Sequence, residues 1–360
     1  MGLEMPVVRS RSEGAHDPGG EIWVGVRTPG TEVPERAERI GAALEAGGAR
    51  LVEALPHPDA ELEAVHDREL LDYLAAAWGL WEEAGLTSDP GQDRVVPYIV
   101  PHPGMLGPLE PAVPATAGAR AGYFAYDTMT LIGPGTWEGA RGAADAALTA
   151  VALVADGEPA AYALCRPPGH HALRRCFGGS CYLNNAAIAA ARLRRELGGP
   201  VAVLDLDAHH GNGTELIFYE DPEVLTGSAH VDPAAGWFPH FYGGASERGA
   251  GPGEGANLNL PLAPGAGDGP WLEAVAELAT WARDGGARGL VVPLGVDAAG
   301  GDPESPLDVS ADGFAAAGRE LGALGLPTVL VQEGGYELET IGELVLATLA
   351  GFESGRPRTT

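Results

Sequence analysis

Two aspartates and a histidine alternate at the end of one apolar run, where residues 201–213 read VAVLDLDAHHGNG. The apolar residues leading into Asp205 and Asp207 predict a strand of a parallel sheet, because such a strand needs apolar cover on both faces. Side chains alternate along a strand, so Asp205, Asp207 and His209 point to one side if the extended geometry persists that far. Three hydrophilic groups then crowd the edge of a hydrophobic sheet, and a cation or a hydrogen-bond network must meet them. Taken alone, D-x-D-x-H reads equally well as a strand ending in a polar loop, so the decision rests on what else converges there.

The elements that would position these residues follow from hydrophobic patterning. Strands are expected at 22–26, 161–165, from 201, and at 223–229, 289–295 and 327–332. Helices are expected after Pro34 and over 59–84, 137–155, 186–197, 270–284, 311–323 and 339–350, with a loose start over residues 1–20. Strand and helix alternate, which predicts an α/β fold with a mostly parallel central sheet covered by helices on both faces. In such sheets ligands bind beyond the carboxyl ends of the strands. Four segments occupy that position: His170-His171, Asp207 with His209, Asp297 to Asp302, and Glu333 to Tyr336.

Composition narrows the chemistry. The chain has 360 residues, 45% of them apolar, which allows a large core. The motifs spread from 166 to 336, so one catalytic domain over 1–360 is expected, with its core at about 22–350. A net charge of −28 argues against a nucleic-acid partner and favours cationic small molecules. All basic side chains are arginine, which excludes lysine Schiff bases, Walker-type lysine loops and Ser-x-x-Lys nucleophiles. Three cysteines make no disulfide framework, and no run approaches a membrane span, so the expected compartment is the cytoplasm and no membrane partner is expected. The proline-rich stretch 87–120 is a long loop that could wall a substrate mouth or build a homodimer.

One histidine with two carboxylates, open on one side, is a ligand set that catalytic zinc accepts. Asp207, His209 and Asp302 are the expected set; Asp302 is chosen for its position after a strand, in a glycine-rich turn that could swing its carboxylate back. An aspartate in a G-D-P loop is otherwise a turn residue or helix cap. His170 and His171 offer a base, with Asp205 and Asn212 available behind them, and Tyr336 offers a hydroxyl donor to an oxyanion.

RPPGHHA, GGSCYLNNAAIAA, VLDLDAHHGNGT, LGVDAAGGDP and QEGGY occur in that order, and together they resemble the zinc-dependent histone deacetylase superfamily. AGYFAYDT, GTWEGA and HFYGGASERGAGPGEGANLNLPL resemble its acetylpolyamine amidohydrolase, class II-like branch. The resemblance covers about residues 25–345 and implies the arginase-deacetylase fold, with a sheet of about eight strands. It implies Asp207, His209 and Asp302 as zinc ligands, His171 as general base, and His170 as its electrostatic partner. Asp205 would stand behind His170 and Asn212 behind His171, and Tyr336 would be the transition-state tyrosine. Asp205, Asp207, His209, Ser228 and Ala229 would surround a structural potassium ion. Gly179 and Phe238 would line the substrate tunnel, with Ser180 where many relatives carry an aromatic.

The expected reaction is deacetylation of an N-acetylated primary amine, an acetylpolyamine or small acyl-amine, releasing acetate. Protein acetyl-lysine is the alternative substrate. A non-catalytic acyl-amine binder is the alternative of another class, but it would be expected to have lost Tyr336, a ligand or a histidine. The remaining histidines, His66 and His230 among them, read as surface, loop or satisfied core residues.

Overall fold

The computed structural model describes residues 2–357. Its strands are β1 (Pro6–Arg9), β2 (Glu21–Trp23), β3 (Val26–Thr28), β4 (Arg50–Glu53), β5 (Ala160–Leu164), β6 (Val201–Asp205), β7 (Val224–Val231), β8 (Asn257–Leu262), β9 (Gly289–Leu294) and β10 (Thr328–Gln332). Strands β2 and β3 form a separate antiparallel hairpin. The other eight make one parallel sheet in the order β4-β1-β5-β10-β9-β6-β7-β8.

Strands β5, β6, β7, β9 and β10 are buried along their whole length, as strands covered on both faces must be. Their side chains alternate between two cores. Ala161, Ala163, Val201 and Val203 pack with helices Arg68–Glu83, Thr136–Ala155 and Asn185–Leu197. Tyr162, Leu164, Ala202 and Leu204 pack with helices Glu35–Ala46, Asp268–Asp284, Ala311–Gly322 and Ile341–Gly355. Helix Asn185–Leu197 starts where Asn184 accepts the Ala187 N–H at 2.8 Å and stops at Gly198 in the left-handed region. Such a cap contributes about 1 kcal/mol.

Several elements differ from expectation: β4 and helix Asn212–Phe218 were not expected, the stretch 87–120 read as a loop holds helix Pro103–Leu106 and the start of helix Ala117–Phe124, and three further differences have a plain cause. β1 is an inner strand where a loose start was expected, because four residues are too few to show a period. The expected strand at 22–26 is a hairpin that turns at Val24 and Gly25, both at positive φ (49° and 79°), as a tight two-residue turn requires. β8 went unread because Asn257 and Asn259 interrupt its apolar pattern; both side chains donate to Glu215 Oε2. Among the described residues no helix is long and apolar enough to cross a membrane, and Cys165, Cys176 and Cys181 are free thiols.

Candidate metal centre and active site

Parallel strands that start together deliver their carboxyl ends together. Asp205 closes β6, and Asp207 and His209 follow it; Asp297 follows β9 and Glu333 follows β10. His209 Nδ1 stands 3.2 Å from Asp207 Oδ1 and 3.0 Å from Asp297 Oδ2. Ligand atoms about 2.0–2.1 Å from a tetrahedral zinc are roughly 3.3 Å apart, so this trio has the spacing of three such ligands. Its other oxygens are tied back to the chain: Asp207 Oδ2 accepts the Gly334 N–H at 2.7 Å, and Asp297 Oδ1 accepts that of Ala208 at 2.8 Å. Burial, then the neighbouring Asp207 charge, push the Asp297 carboxyl up to about 7, as expected of two buried carboxylates that want a cation between them.

The third member of the trio is therefore Asp297, and the expectation of Asp302 is corrected. Asp302 spends both oxygens on backbone N–H groups. Oδ2 accepts from Tyr336 at 2.7 Å and Glu337 at 3.2 Å, and Oδ1 accepts from Glu304 at 3.0 Å. The turn it occupies swings its carboxylate towards the tyrosine loop, away from His209.

The histidine pair is differentiated by what stands behind each ring. His170 Nδ1 lies 2.9 Å from Asp205 Oδ2, and Asp205 Oδ1 accepts the Asp207 N–H. Burial opposes a charge on His170, yet Asp207 and Asp205 outweigh it and hold the imidazole up to about 10. His171 Nδ1 lies 2.7 Å from Asn212 Oδ1, a neutral acceptor, so Nδ1 carries the hydrogen and Nε2 keeps a lone pair. Burial, then the neighbouring His170 and His209, hold His171 well below the usual imidazole range. The carboxylate behind one ring favours its charged form and the amide behind the other its neutral form, with the rings 4.0 Å apart between centroids.

Tyr336 is set by its backbone. Arg36 donates from Nε to Gly335 O and from its terminal nitrogens to Glu333 O and Glu32, with its guanidinium 4.6 Å from the Tyr336 ring centroid. A narrow cavity of about 80 Å³ brings Tyr336, His171 and His209 together with Gly179, Ser180 and Phe238. Gly179 takes φ +59°, and a Cβ there would fall 2.5 Å from His171 Cδ2 and 2.9 Å from Phe238 Cε1, so only glycine lets the wall close on both rings. Ser180 is also left-handed (φ 60°), fixed by its N–H to Thr130 Oγ1. Burial pushes the Cys181 thiol well up, which does not suit a nucleophile.

Residues 30–352 match the histone deacetylase domain. The chain belongs to the histone deacetylase family. Within that family it is 38% identical to the acetylpolyamine amidohydrolase of Mycoplana ramosa, over 96% of this chain and 99% of the relative. It is 42% identical to that of Burkholderia pseudomallei, over 89% and 91%. A crystal structure of the Burkholderia pseudomallei acetylpolyamine aminohydrolase superposes with a TM-score of 0.92 at 39% identity, covering 98% of this chain and all of the other. The HDA15 HD domain superposes at 0.76 with 27% identity, over 97% and 91%. Membership makes the protein a metal-dependent hydrolytic deacetylase of the arginase-deacetylase fold.

In this histone deacetylase-family chain, the sequence placed Asp297 in a candidate segment but not among the expected metal ligands. Asp297 had a usable signal: it lies three residues past the end of β9, much as Asp207 lies two past β6. A second group with metal-ligand chemistry, His210, Glu215 and Glu247, is closed on itself: Glu215 Oε2 is engaged by His210 Nε2 and by both asparagines of β8.

Proposed function

We propose that the protein is a zinc-dependent amidohydrolase that removes the acetyl group from N-acetylated polyamines, releasing acetate and a free primary amine. The observation that carries this reading is the meeting of Asp207, His209 and Asp297 beside a histidine pair with unlike partners, on a cavity that also holds Tyr336. The names of relatives that align along nearly the whole chain support the substrate class.

Zinc held by those three residues would polarise the amide carbonyl and acidify the attacking water. His171 Nε2 accepts the proton of that water, because Asn212 leaves its lone pair free. The Tyr336 hydroxyl donates to the oxyanion as the carbonyl becomes tetrahedral. His170, kept charged by Asp205 and Asp207, stabilises that negative charge, and the histidine pair returns a proton to the leaving nitrogen as the C–N bond breaks. Phe238, edge-on to His171 at 4.7 Å, helps keep bulk water from the base.

A structural potassium ion fits among Asp205, Asp207, His209, Ser228 and Ala229. Asp205 pairs in register with Ser228. His230 Nε2 faces Gly243 O, which places the hydrogen there and makes Nδ1 the acceptor of the Ser228 hydroxyl, so the Ser228 oxygen keeps lone pairs for a cation. Residues 1–360 act as one catalytic domain in this reading, in the cytoplasm, where three free thiols are at home. A homodimer would cover the exposed Tyr98, Met105 and Leu109 of the proline-rich loop with Trp23 and Phe241 beside it.

The test is hydrolysis of N-acetylputrescine and of an acetyl-lysine peptide by purified protein, before and after chelation and zinc return. Acetate release from the polyamine that stops with chelator and resumes with zinc is expected. Release indifferent to chelation would remove the metal mechanism, and preference for the peptide would replace the substrate class.

A further inference from the structure

The loop that delivers the histidine pair opens on two residues that cannot donate. Arg166-Pro167-Pro168-Gly169-His170-His171 follows β5, and neither proline has an N–H. The first donors after Arg166 are those of Gly169 and His170, and both converge on one atom. Glu333 Oε2 accepts from Gly169 at 2.6 Å and from His170 at 3.1 Å. The carbonyls of the same loop are shared out among several partners: Pro167 O accepts from Asn185, His170 O from the Thr214 N–H, His171 O from the Tyr126 hydroxyl and Ala172 O from Asn184. The two N–H groups depend on Glu333 alone.

Glu333 is itself fixed by the sheet. It is the first residue past β10, its N–H donates to Leu294 O at the end of β9 at 3.0 Å, and its side chain is fully buried. The loop it holds is pressed against the start of helix Asn185–Leu197, since a Cβ on Gly169 would fall 2.5 Å from both Asn185 N and Leu183 O. No hydrolytic step uses this carboxyl. Its Oε1 has no hydrogen-bond partner among the described residues, so its only polar contacts are the two N–H groups at Oε2. Burial pushes the group up to about 8, which leaves it mostly the uncharged acid at neutral pH. The titratable groups facing it are His170, Asp205, Cys165 and Cys181.

We infer that Glu333 is a positioning residue for the general base: by accepting two N–H bonds at one oxygen it ties the histidine loop to the sheet and sets where His171 meets the attacking water. It works as a neutral acceptor and supplies neither a charge nor a proton. This rests on the deacetylase reading above and adds to it the residue that holds the histidine pair in register with the metal ligands.

The experiment compares zinc-loaded wild type, Glu333→Gln and Glu333→Leu on N-acetylputrescine. Glutamine offers an amide oxygen where the acid offered its own, so its kcat is expected within about threefold of wild type. Leucine offers no acceptor, and kcat should fall about 100-fold as the base is displaced. KM should stay within about threefold and zinc near one per chain, because neither the metal trio nor the cavity wall depends on Glu333. Wild-type turnover in Glu333→Leu, or zinc lost in proportion to kcat, overturns the positioning role. Glu333→Gln as slow as Glu333→Leu overturns it too, because charge would then be what matters. Should the leucine variant fail to fold, the glutamine variant still decides through the kcat/KM profile between about pH 7 and pH 9. Wild type and Glu333→Gln should coincide there, and a bend near 8 in the wild type alone overturns the neutral acceptor. Absence of hydrolysis by the wild type would instead sink the deacetylase reading and this inference with it.

Discussion

The Asp302 carboxylate accepts the Tyr336 N–H at 2.7 Å and, through its other oxygen, the Glu304 N–H at 3.0 Å. One buried side chain thus brackets the tyrosine and a wall of the cavity. In the reading proposed above it acts through Tyr336, as a positioning residue.

Asp297→Asn and Asp302→Asn should therefore behave differently. The first is expected to lose bound zinc by elemental analysis and with it nearly all activity. The second is expected to keep zinc near one per chain while kcat falls about 10- to 100-fold, since a shifted donor loses much of its value in the transition state. Zinc loss in Asp302→Asn with full occupancy in Asp297→Asn would reverse the assignment.

Asn212→Asp puts a charge where His171 now meets an amide oxygen 2.7 Å away. An opposite charge so near raises an imidazole by about 1–3 pH units. His171 works unprotonated, so a raised value extends the acidic range in which it is silent. The acidic limb of the kcat/KM profile should move up by about that interval, and an unmoved limb would show that another group is the base.

Glu21 gives a second pH dependence. Burial and the charges of Glu304 and Asp127 raise its carboxyl to about 7, so the folded protein holds that proton more tightly than the unfolded chain does. Its contribution to stability consequently falls as pH rises from the ordinary carboxyl range through about 7. The melting temperature of Glu21→Gln should therefore gain on that of the wild type between about pH 5 and pH 8, and a difference that does not change with pH would contradict the shift.

Gly179→Ala tests the tunnel wall. The added methyl must enter space held by His171 and Phe238, on a backbone at φ +59°. A destabilisation of about 1–3 kcal/mol is expected by thermal melting, with kcat at least about 100-fold lower from the displaced base. Wild-type turnover would mean that the wall does not press on the ring.

Much of this architecture could be read from residue order, and the reasons are physical. The strands at 161–165, 201, 223–229, 289–295 and 327–332 were legible because a strand buried on both faces has to be apolar throughout. The pairing of His170 with Asp205 and of His171 with Asn212 was legible through family resemblance, and the structure places each pair within hydrogen-bond distance. The choice between Asp297 and Asp302 was not, since both follow β9 and only the path of the GGDP turn decides which carboxylate faces His209. Glu21 was hidden because its place in the cavity depends on where the β2–β3 hairpin packs in space, which no periodicity encodes.

Arg36 sits in the first helix, yet it grips the carbonyls of Glu333 and Gly335 near the other end of the chain. The tyrosine loop is thus seated by a contact between segments 297 and 299 residues apart. Losing that one guanidinium would unseat Tyr336 while leaving the strand-borne aspartates and histidines where the sheet puts them.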